Sequence, residues 1–430
     1  MQKVYSSAYP SLKMSTRKEQ TLLWPSILFG LFILLPTLSP AVETLFFISF
    51  LFFPITIWAF SKAKMPEVIS RFAGLLLLII LIGLVNFTGH KVHDVARDIW
   101  ILLNPALALT VGYILMQNMM DLKRLLRVFI IAATLLALLH LSKVAMHPEI
   151  LHKSALDIRG AGGYGFYEPG IALALFLAAR KMKLKIFGEH VWLSCTAIFL
   201  CSASFIVSFS RTLDVVLILI FLSVFGWINF YSRIKVIIFS LVIVAIIGIG
   251  FMFPASHGNG VHPEMSEKIL NSFQEIKIKE YRDMREVGGH WRGFETAKAL
   301  ETFRNGTLPE YFVGRGMGAL VDTHLFTPLG PINRFIPVMH NGYMYLLVKT
   351  GILGLCLYLL LFYRLVRVGT ILDSSECISM KYCGRLLVGF SLAFLSSTYV
   401  MSGMYGGAML STTMLLGALL AYVSSPRNRS

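Results

Sequence analysis

The stretch NGYMYLLVKTGILGLCLYLLLFY, residues 341–363, contains a single charged side chain, that of Lys349. In hydrocarbon no water can bond to the backbone, so every N–H and C=O has to be paired within the element. An apolar run of about 20 residues is therefore interpreted as a helix that crosses a membrane. The chain as a whole is 56% hydrophobic and only 14% charged. The sequence therefore predicts an all-α, multi-pass membrane protein.

Twelve apolar runs of this kind predict about twelve transmembrane helices. The sixth run is short for a crossing, and only the Ser39-Pro40 turn separates the first two, so each of these could instead re-enter the membrane. The expected domains are an N-terminal bundle of about nine helices (1–254), a large loop (255–339) and about three C-terminal helices (340–430). The runs are 22–38, 42–60, 69–88, 96–116, 124–143, 166–180, 191–208, 213–231, 234–254, 341–363, 384–402 and 406–424.

Basic residues are distributed unevenly among the connections between these runs. Cytoplasmic loops of membrane proteins carry an excess of Lys and Arg. When the N-terminus is placed inside, the inner connections hold most of the basic residues of the short loops, such as the cluster at Arg180, Lys181 and Lys183. We therefore expect a bacterial inner-membrane protein with both termini in the cytoplasm. The net charge of +16 then faces anionic membrane lipids, and nucleic acid is not an expected partner.

The chain lacks the short motifs that commonly hold metal ions and nucleotides. It contains no His-Glu-x-x-His, no Asp-x-Asp and no Walker loop, and the spacing of Cys377 and Cys383 matches no zinc pattern. Metal-assisted and nucleotide-dependent hydrolysis therefore lack their usual residues. We expect neither a metal site nor a cofactor.

The connection between the ninth and tenth runs, residues 255–339, is much longer than most other outer connections. Long loops often carry function. Apolar residues recur there at near-helical spacing over residues 263–281 and over Trp291–Arg304, which predicts two amphipathic helices. We expect this loop to form a partly helical, ordered cap on the periplasmic face.

A glycine-rich segment, FVGRGMG at residues 312–318, follows the two predicted cap helices. Glycine permits a tight turn or the close approach of a ligand to the backbone. The segment could therefore cradle a phosphate, with Arg315 contacting the substrate, or it could be a plain turn.

His340 and Asn341 stand at the start of the tenth run, at its predicted outer mouth. An imidazole can accept a proton near neutral pH, and the backbone N–H groups of a first helical turn point outward. The position suits a catalytic base. The alternative is an interfacial histidine beside an Asn341 that caps the helix.

Two arginines are predicted to lie on the same side of the membrane as His340. Arg211, in Phe-Ser-Arg-Thr between the seventh and eighth runs, carries a forked guanidinium that can hold a phosphate in two directions, although it could instead contact a lipid headgroup. Arg292, in His-Trp-Arg-Gly-Phe-Glu, lies on the polar side of a predicted cap helix, where most arginines are solvated. Both are candidates for binding an anionic substrate.

Aromatic residues surround a carboxylate in the segment YGFYEPG, residues 164–170. Tyr164, Tyr167 and Glu168 resemble a sugar-binding platform, but the aromatic belts at membrane interfaces use the same residue types. Lys349 is a charge within an apolar run. Such charges usually face the bundle interior and pair with another group.

The pair His340-Asn341, followed after nine residues by Gly351-Ile-Leu-Gly354, resembles the signature of the O-antigen ligases and the related O-antigen polymerases. The large outer loop just before this motif is also similar to that superfamily. So are the Ser-Arg-Thr at the outer end of the seventh run and the Trp-Arg element in the cap. The resemblance covers about residues 190–365.

The resemblance implies an inverting membrane glycosyltransferase whose donor is a glycan on undecaprenyl diphosphate. The acceptor would be a glycan or lipid A-core. By resemblance, the roles in transfer fall on Arg211, Arg292 and His340, and need neither metal nor nucleotide. Further expected substrate contacts are Asn341, Tyr164, Tyr167, Glu168 and Arg315.

The main alternative is a lipid-linked glycan flippase or another multi-pass transporter. Such proteins also have about twelve helices, but they bind near the middle of the membrane and often show repeated halves. Here no matching halves are evident, and the soluble residues are concentrated in one outer loop. These features favour the enzyme. The sequence does not decide between ligase and polymerase, because the acceptor distinguishes them.

Overall fold

The computed structural model describes residues 23–35, 48, 52, 54–55, 66–152, 158, 167–208, 210–228, 287, 290–327 and 333–425. Helices dominate this part of the chain, and one antiparallel hairpin of strands β1 (Val321–Thr327) and β2 (Asn333–Ile336) accompanies them. The α-helices are α1 (Trp24–Leu34), α2 (Glu67–Gly83), α3 (Val92–Met119), α4 (Leu122–Met146), α5 (Tyr167–Lys181), α6 (Val191–Ser208), α7 (Arg211–Val224), α8 (Trp291–Arg304), α9 (Leu308–Val313), α10 (Gly342–Asp373), α11 (Ile378–Met401) and α12 (Leu410–Ser424).

Six helical stretches among the described residues are long and apolar enough to cross a membrane. This finding confirms the helical, multi-pass class that the composition predicts. The count of about twelve crossings stays a prediction, because the runs 42–60 and 234–254 lie largely outside the described residues. The six stretches are Val92–Met119, Leu122–Met146, Val191–Ser208, Gly342–Asp373, Ile378–Met401 and Gly407–Ser424.

Arg127 and Arg385 lie at one end of the bundle, which we call the basic end. There Arg127 donates to the carbonyl of Ile186 at 2.9 Å. Arg385 donates to the carbonyl of Val224 at 2.7 Å and to the carboxylate of Asp373 at 2.6 Å. These bonds join the start of α4, the connection after α5, the ends of α7 and α10, and the start of α11. Helices α4 and α5 therefore run in opposite directions, as do α10 and α11, and the opposite ends of these helices form the other face of the bundle.

Helices α3 and α12 run parallel with their backbones in contact. A Cβ atom on Gly112 would lie 1.8 Å from the carbonyl oxygen of Met414, and one on Gly417 would lie 1.9 Å from that of Leu109. Each glycine thus meets the carbonyl three residues before the other glycine, which is the pattern of a parallel pair with small residues at its interface. The close approach fixes the register of α12, the last helix, against α3.

Helix α10 is two helical segments that meet at Gly351. Gly351 has φ 64° and ψ −165°, a conformation that interrupts the helix and that side-chain-bearing residues rarely adopt. The rings of Tyr343 and Tyr358 are 6.5 Å apart, whereas a straight helix would separate these residues by about 22 Å. Segments 342–350 and 352–373 therefore form a V. The apolar run predicted over residues 341–363 is helical and belongs to a stretch apolar enough to cross a membrane, but the bend at Gly351 divides it, and the apolar character of the run did not reveal that bend.

A fully buried ion pair anchors the first arm of this V. The ammonium of Lys349 lies 2.5 Å from the carboxylate of Asp98, and both side chains are 0% exposed. Lys349 also donates to the carbonyl of Ala319, while Asp98 accepts from the backbone N–H of Gly318 at 2.7 Å and the hydroxyl of Tyr345 at 3.1 Å. The expectation that Lys349 pairs inside the bundle is confirmed. It lies beside the early part of α3 instead of partway down a straight crossing helix.

The predicted cap helix over Trp291–Arg304 is present as α8. Its buried face is formed by Gly293, Phe294, Glu295, Thr296 and Ala299. Two polar side chains thus point into the protein. The other predicted cap helix, over residues 263–281, lies outside the described residues.

Candidate functional site

The site lies at the end of the bundle opposite the basic end, where the first arm of α10 meets the end of α11. The backbone N–H of Ser402 donates to the carbonyl of His340 at 2.7 Å. Gly342 is packed against Thr398, since a Cβ on this glycine would lie 2.9 Å from the Thr398 methyl. The hydroxyl of Tyr167, the first residue of α5, contacts the sulfur of Met401. These contacts bring the start of α5, the start of α10 and the end of α11 together.

The antiparallel packing of α7 on α11 brings Arg211 to the same level. At the middle of this pair, a Cβ on Gly389 would lie 3.0 Å from the Cα of Ile220. Arg211 lies nine residues before Ile220 on α7, and Thr398 lies nine residues after Gly389 on α11. Both are therefore about 13 Å from the contact point, in the same direction. Because Thr398 packs against Gly342, the backbone of Arg211 lies about level with the His340 motif.

His340 and Asn341 form hydrogen bonds with two adjacent residues of the cap helix α8, Glu295 and Thr296. The carboxylate of Glu295 accepts from the backbone N–H of His340 at 2.9 Å and lies 3.0 Å from its Nδ1. The amide of Asn341 donates to the hydroxyl of Thr296 at 3.2 Å. Its carbonyl oxygen accepts from the N–H groups of the first turn of α10 at 3.1 and 3.3 Å. Asn341 is therefore the N-cap that the sequence suggested, and in addition it joins the cap to the bundle.

Arg292 lies on the same helix as Glu295, one turn earlier. Residues three apart on a helix are neighbours on its surface, with Cβ atoms about 5 to 6 Å apart. Since Glu295 contacts His340 directly, Arg292 is within one turn of the residue that meets His340. Arg292 and His340 therefore lie in one region of the protein, at the level of the Arg211 backbone.

The residues of the predicted sugar platform are placed differently from one another. Tyr167 and Glu168 are buried at the start of α5, and one carboxylate oxygen of Glu168 accepts from the hydroxyl of Ser411 at 2.8 Å. Their polar atoms thus face other helices. Tyr164 lies outside the described residues. Contact of these three residues with a sugar stays a prediction.

Arg315 contacts the far end of the first arm of α10, whereas Ser402 contacts its start at His340. Its backbone N–H donates to the carbonyl of Val348 at 2.8 Å, and its guanidinium donates to the carbonyl of Asn305 at 3.0 Å. The N–H of Met317 donates to the carbonyl of Gly83 at 2.8 Å. Backbone donors of the glycine-rich segment are thus used by the protein itself, which favours the interpretation as a turn. Contact of Arg315 with the substrate stays a prediction.

Glu295 is the residue of this site that sequence reasoning missed. It is one of many acidic residues in the long loop, and its position in α8 is three after Arg292 and one after the apolar Phe294. One signal in the sequence could have found it. Glu295 directly follows Phe294, an apolar residue of the helical pattern, so its carboxylate lies next to the buried face of α8. Only the fold shows that His340, 45 residues away, supplies the donors.

Chemically, the site offers a half-exposed imidazole, a buried carboxylate bound to it and nearby arginines. Within the ranges that the structure describes, no group of three or more His, Cys, Asp or Glu side chains is arranged to hold a metal ion. The arrangement can bind an anionic group and accept a proton.

Residues 196–359 match the family whose description is O-antigen ligase. The matched segment includes Arg211, Arg292, Glu295 and His340 and extends past the bend at Gly351. No curated protein matches the chain.

Proposed function

Because residues 196–359 carry the O-antigen ligase match, the chain belongs to the O-antigen ligase superfamily, and we propose that it transfers a glycan from undecaprenyl diphosphate to a periplasmic acceptor. The observation that supports the proposal is the position of His340 inside the matched segment. It contacts the cap helix that carries Arg292, and it lies level with the start of the helix that carries Arg211.

The proposed reaction is a displacement at the first carbon of the donor sugar. The acceptor hydroxyl oxygen attacks this carbon, and the bond between the carbon and the diphosphate oxygen breaks with its electron pair staying on the phosphate. Arg211 and Arg292 stabilise the charge that develops there, because forked guanidinium groups bind phosphate oxygens in two directions. His340 accepts the proton of the acceptor hydroxyl. Attack from the face opposite the leaving group gives inversion.

A membrane-bound donor accounts for the combination of a helical bundle with a cap. The polyprenyl chain would remain in lipid between helices, and the diphosphate would lie at the level of Arg211, beneath α8. In the proposed topology this end of the bundle faces the periplasm and the basic end faces the cytoplasm. The enzyme needs no nucleotide and no divalent metal, so transfer by the purified protein should persist in excess EDTA. Activity lost in EDTA and restored by magnesium would contradict this part of the proposal.

Purified protein in detergent tests the proposal with an undecaprenyl-diphosphate-linked glycan as donor and either lipid A-core or a second donor molecule as acceptor. His340→Ala should lower turnover by about 10²- to 10⁴-fold, the usual contribution of a general base, with donor binding retained. Arg211→Lys should also lose most activity, since it keeps the charge but removes the fork. His147→Ala and Arg71→Lys, which alter exposed side chains, are the matched controls.

The same assay separates transfer from transport. A detergent micelle has no second leaflet, so product cannot arise from flipping alone. Absence of product with every acceptor, together with donor translocation in proteoliposomes, would favour the flippase. Normal transfer by His340→Ala would return that histidine to the role of a helix-mouth residue. Product on lipid A-core would indicate a ligase, and chain extension of the donor a polymerase.

A further inference from the structure

Glu295 is almost completely buried yet carries a carboxylate, with 1% of the residue exposed. A buried carboxylate is stable only when donors satisfy it. One oxygen, Oε2, contacts both the backbone N–H of His340 at 2.9 Å and its Nδ1 at 3.0 Å. The His340 side chain itself is 51% exposed. One edge of the imidazole is therefore held inside the protein while the rest of the ring faces outward.

We propose that Glu295 is the positioning residue of the transfer reaction, which holds His340 with the proton on Nδ1 so that Nε2 accepts the proton of the acceptor hydroxyl. The inference rests on the proposed function, in which His340 is the proton acceptor.

The tautomer follows from the chemistry of the contact. An ionised carboxylate can only accept, so the imidazole nitrogen 3.0 Å from it has to donate. In a neutral imidazole the proton then sits on Nδ1, and the lone pair sits on Nε2. The second bond to the same oxygen comes from the backbone of His340, which fixes the carboxylate relative to the main chain as well as the ring. Rotation of the ring would break the Nδ1 bond, so the lone pair keeps one direction.

The carboxylate also stabilises the product of the proton transfer. When Nε2 takes the proton, the imidazole becomes an imidazolium, and its positive charge lies beside the buried negative charge of Glu295. A charge-assisted hydrogen bond of this kind is about twice as strong as a neutral one. The proton passes from the acceptor hydroxyl to Nε2, and Glu295 neither gains nor loses one in the step. Glu295 touches no substrate and acts through His340.

Glu295→Gln is the variant that separates charge from shape. Glutamine has the same size and can still accept from Nδ1, but it cannot stabilise the imidazolium. We expect kcat to fall at least about tenfold, and by no more than the about 10²- to 10⁴-fold loss expected for removal of the base, with KM for the lipid donor nearly unchanged. Glu301→Gln is the matched control, since Glu301 lies on the same helix but pairs with Lys298.

A double-mutant cycle distinguishes positioning from a merely structural role. In the His340→Ala background, Glu295→Gln should change kcat by less than about twofold, because a residue that acts through His340 has nothing left to position. A further loss of tenfold or more in that background would overturn the proposal. If Glu295→Gln alone behaves like wild type while His340→Ala is inactive, this inference fails and the proposed function stands. If His340→Ala retains normal transfer, glycan transfer itself stands, but His340 is not the proton acceptor and this inference fails with that role.

A second measurement applies even if the Glu295 variants do not fold. Nitrogen NMR of wild-type protein labelled with ¹⁵N-histidine distinguishes protonated from unprotonated ring nitrogens, and the His340 signals are those lost in His340→Ala. The expected result is a protonated Nδ1 and an unprotonated Nε2 at a pH where the ring is neutral. Protonation on Nε2 alone would contradict the proposal.

Discussion

Removing one partner of the buried pair between Asp98 and Lys349 should have unequal effects, depending on which partner is lost. Asp98→Asn leaves the Lys349 ammonium fully buried with only neutral acceptors, the new amide oxygen and the carbonyl of Ala319, and we expect this loss of the paired negative charge to cost about 3 to 5 kcal/mol. Lys349→Met leaves the Asp98 carboxylate with the donors of Gly318 and Tyr345. Because hydrogen bonds to a charged group contribute about 1.5 to 3 kcal/mol each, this loss should be partly offset.

Thermal unfolding of purified protein in detergent, at one scan rate because membrane proteins often unfold irreversibly, ranks the variants. We expect Asp98→Asn to be the least stable. The double variant Asp98→Asn/Lys349→Met should be more stable than Asp98→Asn, since it removes the unpaired charge. Lys298→Met, which breaks an exposed pair with Glu301, should cost less than about 1 kcal/mol. A double variant less stable than Asp98→Asn, or an Asp98→Asn protein that melts like wild type, would refute the reasoning.

Three further outcomes are expected. Gly351→Ala should prevent recovery of folded protein in size-exclusion chromatography, because its Cβ would lie 2.3 Å from the Phe312 carbonyl oxygen, whereas Gly74→Ala, with nothing within 4 Å, should be normal. Hydrogen bonding from Arg334 lowers the pKa of Asp322 to about 2. The contribution of Asp322 to the stability of the folded protein should therefore be complete above pH about 4 and lost as pH falls through about 2. In this window the thermal unfolding midpoint of wild type should fall towards that of Asp322→Asn. In a cysteine-free background, Thr307→Cys and Glu189→Cys should be labelled from opposite sides of the membrane, and labelling from one side would contradict the topology.

The cap helix illustrates how far sequence periodicity reaches. The spacing of apolar residues predicted a helix over Trp291–Arg304, and the structure has these bounds. Leu300 and Phe303 also follow this spacing, but the buried side of the helix includes the polar Glu295 and Thr296. Periodicity indicates that one side of a helix is covered. It does not show whether the partner is lipid, an apolar core or a polar residue that supplies hydrogen bonds.

The glycine of the motif illustrates the opposite limit. In the sequence, Gly351 is one small residue inside a long apolar run, and such a run is typical of a straight crossing helix. The bend depends on the space around it. The carbonyl of Phe312 and the N–H of Gly314 come so close to Gly351 that a side chain would collide with them. Both groups belong to a different segment of the chain, and only folding brings that segment to Gly351.

The sequence by itself determined the multi-pass helical class, the cap helix and the family resemblance of its arginine and histidine motifs. These follow from local properties: hydrophobic run length, the 3.6-residue period and residue type at short spacing. Only the tertiary structure decided the V of α10, the pairing of Lys349 with Asp98, 251 residues away, and the contact of Glu295 with His340. A buried charge is stable only when it is paired with an opposite charge. The chain contains many acidic residues, and the packing of the helices decides which of them pairs with Lys349.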